Sequence, residues 1–294
     1  MSSTADRTLR LFADWLIDHD PTVRSLRQVH RRHVEAYKLW LATRENPRGL
    51  PLKKSTINLR LSGLRIIIER LIEWDHPDAP PRNPIFGTDL PRRDEPLPKF
   101  LDDDAATKFM TAATRLDPQR RLVVEMLART GLRIGEFCDL RDDAIITLGD
   151  TNWLRVPVGK LHTDRYVPLH PILIDLYHTW TAWAPVPNTT GRFITNHTGR
   201  PLDRYSVSRT VARCARIAGI GHVHPHQLRH TLATQAINNG MSLEAIAAML
   251  GHRSMRMTLT YARIADRTVA DQYFAAADAV DQLYTTTQPE ETPS

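Results

Sequence analysis

Cysteine is scarce in this chain, and long hydrophobic runs are missing altogether. Its 294 residues include two cysteines, Cys138 and Cys214. Two thiols so far apart give neither a disulfide framework nor a zinc-ribbon spacing, and they suit a reducing, cytoplasmic setting. No stretch of about 18 apolar residues occurs, so no membrane-spanning helix is expected. The opening MSSTADRTLRLF lacks the apolar centre of a secretory leader. No internal repeat is visible. What remains is the composition of a globular protein, 41% hydrophobic and 24% charged, long enough for one large or two ordinary domains.

The net charge of +6 is modest, but it is unevenly spread. Residues 1–100 hold 18 Lys and Arg against 13 Asp and Glu, a balance of +5. Residues 101–199 are near neutral, with 11 against 12. Residues 200–264 hold 9 against 2, and all 9 are arginine. Residues 265–294 reverse the sign, with 1 against 6. Arginine-rich surfaces suit phosphate, because a planar guanidinium makes paired hydrogen bonds to its oxygens. On charge alone, a solvated face is the alternative to that reading.

Helical periodicity runs through the first block. Leu9, Phe12 and Leu16 share a face at 7–18. Val34, Tyr37 and Leu41 share one at 30–43, with Leu39 and Trp40 widening it. Ile57, Leu61, Leu64, Ile68 and Leu71 share one at 53–74. That third helix opens on Lys53 and Lys54, and cations are unfavourable at a helix N-terminus unless an anion offsets them. Both lysines are therefore candidate DNA contacts. The block reads as an all-helical domain over 1–75. Seven prolines in residues 75–98 predict an extended linker, placed at 76–96.

The second block, 97–284, reads as mixed α/β and mostly helical. Helices are predicted at 102–115, 119–130, 171–183, 203–218, 226–238, 242–250 and 266–283. Three short strands, Ala144–Leu148, Trp153–Val158 and Tyr166–Leu169, predict a small antiparallel sheet. The polar tail 285–294 reads as disordered. The fold class is thus mainly α with one small sheet.

Breaking a phosphodiester without a metal requires a nucleophile, positive charge around the non-bridging oxygens and an acid for the leaving oxygen. Arg133 lies in TGLRIGE, just past the helix-ending Gly131. Lys160 sits in a turn between two strands. His226 and Arg229 lie at i and i+3 in HQLRH, on one face of a helix start. His252 follows Gly251, and Tyr261 stands nine residues beyond it. Each alone has a bland reading, as a cap partner, a solvated turn or a packing aromatic. Their order and spacing carry the case.

The stretches TGLRIGE (130–136), GKLHTDRYVPL (159–169), HPHQLRHTLAT (224–234) and LGHRSMRMTLTYAR (250–263) resemble the tyrosine recombinase, or phage integrase, family in a Xer-like two-domain layout. The resemblance covers 97–284 well and 5–75 in outline. It implies a helical core-binding domain and a catalytic domain that clamp double-stranded DNA, with four protomers exchanging strands through a Holliday junction. It implies that Tyr261 attacks the scissile phosphate to leave a 3′-phosphotyrosyl link. Arg133 and Arg229 would hold the non-bridging oxygens, and Lys160 would protonate the 5′-oxygen. His226 would act as base, His252 would bond the phosphate, and Glu136 would orient its neighbours. No cofactor is implied, and accessory recombination proteins are conceivable partners. Leu161 stands where many relatives have glycine, which makes Lys160 the least typical match. With 132 residues before Arg133, no separate arm-binding domain is expected. The segment 266–283 is read as docking on a neighbouring protomer.

Three other readings stay open on sequence alone. His226 and His230, at i and i+4, have a metal-binding spacing, though no Glu stands between them as in a zinc protease. The helix–turn–helix look of 226–251 suits a DNA-binding accessory protein or regulator that does not cut. The same chemistry also serves type IB topoisomerases.

Overall fold

The computed structural model describes residues 3–92, 97–157, 164–252 and 254–262, and the chain divides into two compact units, 1–96 and 97–294. In the first, α1 (Ser3–His19), α2 (Arg31–Thr43) and α3 (Lys54–Glu73) surround one apolar core. Phe12, Leu16, Val34, Tyr37, Leu41, Leu61, Leu64 and Ile68 fill it, as the periodicity predicts, and Trp15, outside that pattern, is buried with them. Leu39 differs: it points to solvent at 71% exposure and does not widen the core face.

The proline-rich stretch is not a free linker along its described length. Ile85 is buried in the first unit's core. Asp89, also buried, accepts hydrogen bonds from Arg31, from Lys38 Nζ at 2.7 Å and from the Phe86 amide at 2.7 Å. The bonds from Arg31 and Lys38 hold its carboxyl well below the usual carboxylate range. Prolines fix the backbone without forbidding burial of the residues between them, which is why composition alone assigns this segment wrongly.

The second unit is built around α5 (Pro118–Thr130), whose residues Leu122 to Leu127 are all buried. Pro118 opens that helix behind an Asp117 cap, and Gly131 closes it in the left-handed conformation, φ +62°. Helices α4 (Asp103–Ala113), α7 (Pro171–Trp183), α8 (Arg204–Ile217) and α9 (Pro225–Asn238) pack around it. Strands β1 (Ile145–Leu148), β2 (Thr151–Val156) and β3 (Arg165–Pro168) form an antiparallel sheet in that order, with Ile145 opposite Leu154 and Leu154 opposite Val167. Short helices α6 (Ile134–Asp139), α10 (Leu243–Leu250) and α11 (Met255–Ala262) complete the described residues.

The sequence pattern predicts no helix at 255–262, where Thr258 and Thr260 are indifferent helix formers. The tertiary environment supplies what propensity does not. Tyr261 joins Ala233, Ile237, Ile246 and Leu250 in a small cluster, and Thr258 is wholly buried. The predicted helix at 266–283 lies outside the described residues. No described helix is long and apolar enough to cross a membrane.

Candidate active site

Two left-handed glycines bring the site together. Gly131 ends α5 and Gly251 ends α10, both at φ +62°. A Cβ on Gly131 would stand 2.6 Å from a Leu250 methyl, and one on Gly251 would stand 2.9 Å from Arg165 Cδ. Both positions thus need glycine for conformation and for space. Just beyond each turn the chain places a predicted site residue: Arg133 at the N-cap of α6, and His252 after α10.

Arg229, in the first turns of α9, is 1% exposed. Its guanidinium donates from Nη1 to the Gly131 carbonyl and from Nη2 to the Leu250 carbonyl, each at 2.6 Å. Those carbonyls belong to the C-terminal ends of two helices, where the backbone carries partial negative charge. Burial, followed by the Arg133 charge, lowers its pKa to about 10, so it remains charged near neutrality.

Glu136 is the hub beside it. Its carboxylate accepts a fork from Arg165, Nη1 at 3.0 Å and Nη2 at 2.7 Å. It also takes the Arg133 amide and Arg133 Nη1, both at 2.8 Å. Burial alone would raise its pKa, but the hydrogen bonds and charge of Arg165 and Arg133 outweigh it and hold the value at about 2. Arg165 also donates from Nε to the Met249 carbonyl at 3.1 Å, tying β3 to the end of α10. Nothing in the sequence marks Arg165, since its role rests on β3 reaching α10, a contact between distant segments.

Tyr261 is 3% exposed, and its hydroxyl stands 2.8 Å from Nδ1 of His230. His226, the expected base, lies one turn earlier on α9 with its ring 4.4 Å from that of His230. The ring that reaches the tyrosine is therefore His230, which the spacing argument offered only as a metal ligand. His252 stacks on Tyr261 at 5.9 Å between ring centres, and its Nδ1 lies 2.8 Å from the Thr258 hydroxyl. Burial raises the pKa of Tyr261, while Arg229 and Arg133 pull it back. Lys160 falls between β2 and β3, outside the described residues. Lys53 and Lys54 begin α3 of the first unit and are exposed. Among the described residues, no group of three or more His, Cys, Asp or Glu could hold a metal.

The histidines share one electrostatic condition. Desolvation first, then neighbouring cations, lowers the pKa of His226 and brings His230 and His252 to about 4. Their folded pKa values lie below an unfolded value of about 6.5. As pH falls from about 6.5 to about 4, the unfolded chain therefore takes up protons that the folded chain refuses, and stability declines. The melting temperature is expected to drop across that window, and less so in a His230→Gln, His252→Gln double variant. Equal slopes for the two proteins would show that these rings are not the cause.

The sequence profile of the phage integrase family matches residues 99–268. A curated relative, the tyrosine recombinase XerC of Pelobacter propionicus, is 29% identical over 290 residues, covering 97% of this chain and 90% of that protein. XerC of Yersinia pestis is 29% identical over 231 residues, covering 76% of this chain and 74% of its own. Among solved structures, XerH bound to a palindromic difH substrate in a post-cleavage complex superposes with a TM-score of 0.73 at 17% identity, covering 92% of this chain and 78% of that one. A lambda integrase (75–356) dimer bound to a COC′ core site gives 0.61 at 19% identity, covering 91% and 95%.

Proposed function

The chain belongs to the phage integrase family, and from that premise we propose that it recombines DNA at specific sites through a covalent link to Tyr261. The curated relatives are tyrosine recombinases, and two structural neighbours are bound to DNA. The observation that carries the reading is the setting of the Tyr261 hydroxyl, 2.8 Å from an imidazole and acted on by the charges of Arg229 and Arg133.

A phenol with a pKa near 10 is a poor nucleophile at neutral pH, and a field of positive charge is what makes it act. Arg229 gives two of its five N–H donors to backbone carbonyls and also hydrogen-bonds the Tyr261 side chain, which leaves donors for a phosphate beside the tyrosine oxygen. Arg133 stands beside it, fixed by Glu136. Together they neutralise the oxygens on which charge grows during in-line attack. Tyr261 Oη forms a bond to phosphorus as the bond to the 5′-oxygen breaks, and Lys160 supplies the proton to that oxygen. His226 and His252 bond the phosphate and assist proton transfer. The phosphotyrosine ester conserves the bond, so a second 5′-hydroxyl can reverse the attack without a high-energy cofactor. Double-stranded DNA is the partner. The helical first unit, with Lys53 and Lys54, binds the core site, and four protomers on two sites exchange strands.

The test uses nicked duplexes selected from a random-sequence pool by binding to the whole chain. Wild-type protein is expected to leave a protein–DNA adduct on a denaturing gel in EDTA, and Tyr261→Phe to bind equally and leave none. Adducts with Tyr261→Phe would mean another nucleophile. Binding without adducts from either protein would favour a DNA-binding role without cleavage.

A further inference from the structure

Given the reading of Tyr261 as nucleophile, on which this inference rests, we propose that His230 is a catalytic residue, the base that takes the Tyr261 hydroxyl proton during cleavage and returns it during rejoining. Four observations converge on it. Its Nδ1 lies 2.8 Å from the tyrosine oxygen. It comes from α9, the helix that also carries Arg229, so base and phosphate-binding cation are set by one rigid element. The tyrosine is buried, which leaves bulk water little access to its proton. His226, by contrast, is exposed, and its ring packs against that of His230.

The surroundings of His230 explain how such a base would be controlled. Facing it are His226 and Arg229 from its own helix, His224 at the cap, His252 from beyond α10 and Tyr261 from α11. Beyond burial, three histidines and an arginine act on it. Imidazolium is disfavoured there, and the ring stays neutral, with a pKa of about 4. In that state Nδ1 can accept a hydrogen bond from the phenol but is too weak a base to hold its proton. A phosphodiester seated on Arg133 and Arg229 brings a negative charge into this cationic group. It offsets the repulsion and restores basicity to the ring. The base is therefore armed by the substrate, and the free protein keeps its tyrosine protonated.

The step balances. The Tyr261 O–H proton moves to His230 Nδ1, Tyr261 Oη bonds phosphorus, the bond from phosphorus to the 5′-oxygen breaks, and that oxygen takes a proton from Lys160. In rejoining, the incoming 5′-hydroxyl attacks phosphorus and gives its proton to Lys160, while the departing tyrosine oxygen recovers its proton from His230.

The experiment measures the single-turnover rate of adduct formation on preformed protein–DNA complexes, using the selected nicked duplex, for wild type, His230→Asn, His226→Asn and Tyr261→Phe. Working on preformed complexes removes differences in folding and affinity, and His230→Gln serves as a second variant of different reach. The amides can hold the tyrosine hydroxyl but cannot carry its proton. Both His230 variants are expected to be roughly 100-fold slower near pH 7, the scale of a lost general base. The gap should narrow as pH rises toward the phenol's own ionisation, which burial holds above the ordinary tyrosine value. His226→Asn should slow the reaction through its lost phosphate contact, by the same factor at every pH. Wild-type rates in the His230 variants, a loss that does not change with pH, or a gap that closes in His226→Asn instead, would each overturn the proposal. All three leave Tyr261 as nucleophile, whereas adducts with Tyr261→Phe would remove that reading itself.

Discussion

Replacing Glu136 with alanine is expected to cost about 3 kcal/mol of stability, as removing one partner of a buried ion pair does, and to lower cleavage by about 100-fold through misplaced phosphate ligands. The cost falls unequally on its two arginines. Arg133 is 37% exposed at its side chain and can turn to water, whereas Arg165 is 10% exposed and, among the described residues, would keep the Met249 carbonyl. Its stem also fills the space where a Cβ on Gly251 would stand, so a shift of Arg165 moves the turn that presents His252. The acid response gives an independent reading. The folded pKa of Glu136, about 2, lies below its ordinary value of 4.5. Its contribution is therefore complete above about 4.5 and lost as pH falls through about 2. Chemical denaturation of wild type and Glu136→Gln should give a stability difference that narrows over that interval. A difference that stays constant would place the stabilisation in shape and not in charge.

The longer helices and the sheet of the second unit were legible because their signals are local. The helix ends at Gly131 and Gly251 are each decided within a few residues. The predicted site residues Arg133, His226, Arg229, His252 and Tyr261 are likewise set by short motifs, and they lie just past the end of α5, in the first turns of α9, just past the end of α10 and on α11. Contacts between segments were not legible. That β3 delivers Arg165 to Glu136, or that His230 rather than His226 meets Tyr261, depends on how α11 lies against α9. No periodicity reports that packing. α11 itself escaped notice because burial of Thr258 and Tyr261, and not propensity, makes it helical. Ile85 and Asp89 escaped for the opposite reason: the surrounding prolines argue for a linker, while an apolar side chain and two cations bind the segment to the first unit.

Arg229→Lys is expected to leave DNA binding largely intact, lower the rate of adduct formation by about 100- to 1,000-fold, the scale of losing one oriented charge-stabilising group, and reduce the melting temperature. Charge is conserved in this change, so the effect isolates geometry. The guanidinium bridges two carbonyls on different helices, Gly131 at the end of α5 and Leu250 at the end of α10, and still has donors for a phosphate. An ammonium group is a single point and cannot span both while facing a third partner. One of the two carbonyls, buried beside a glycine turn, would be left without its donor, at a cost of about 1–3 kcal/mol. Because those turns immediately precede Arg133 and His252, a loosened bridge displaces both flanks of the phosphate site together. Loss of activity without loss of stability would confine Arg229 to the phosphate. Loss of both would show that the residue that stabilises the transition state also holds the ends of α5 and α10 in place around it.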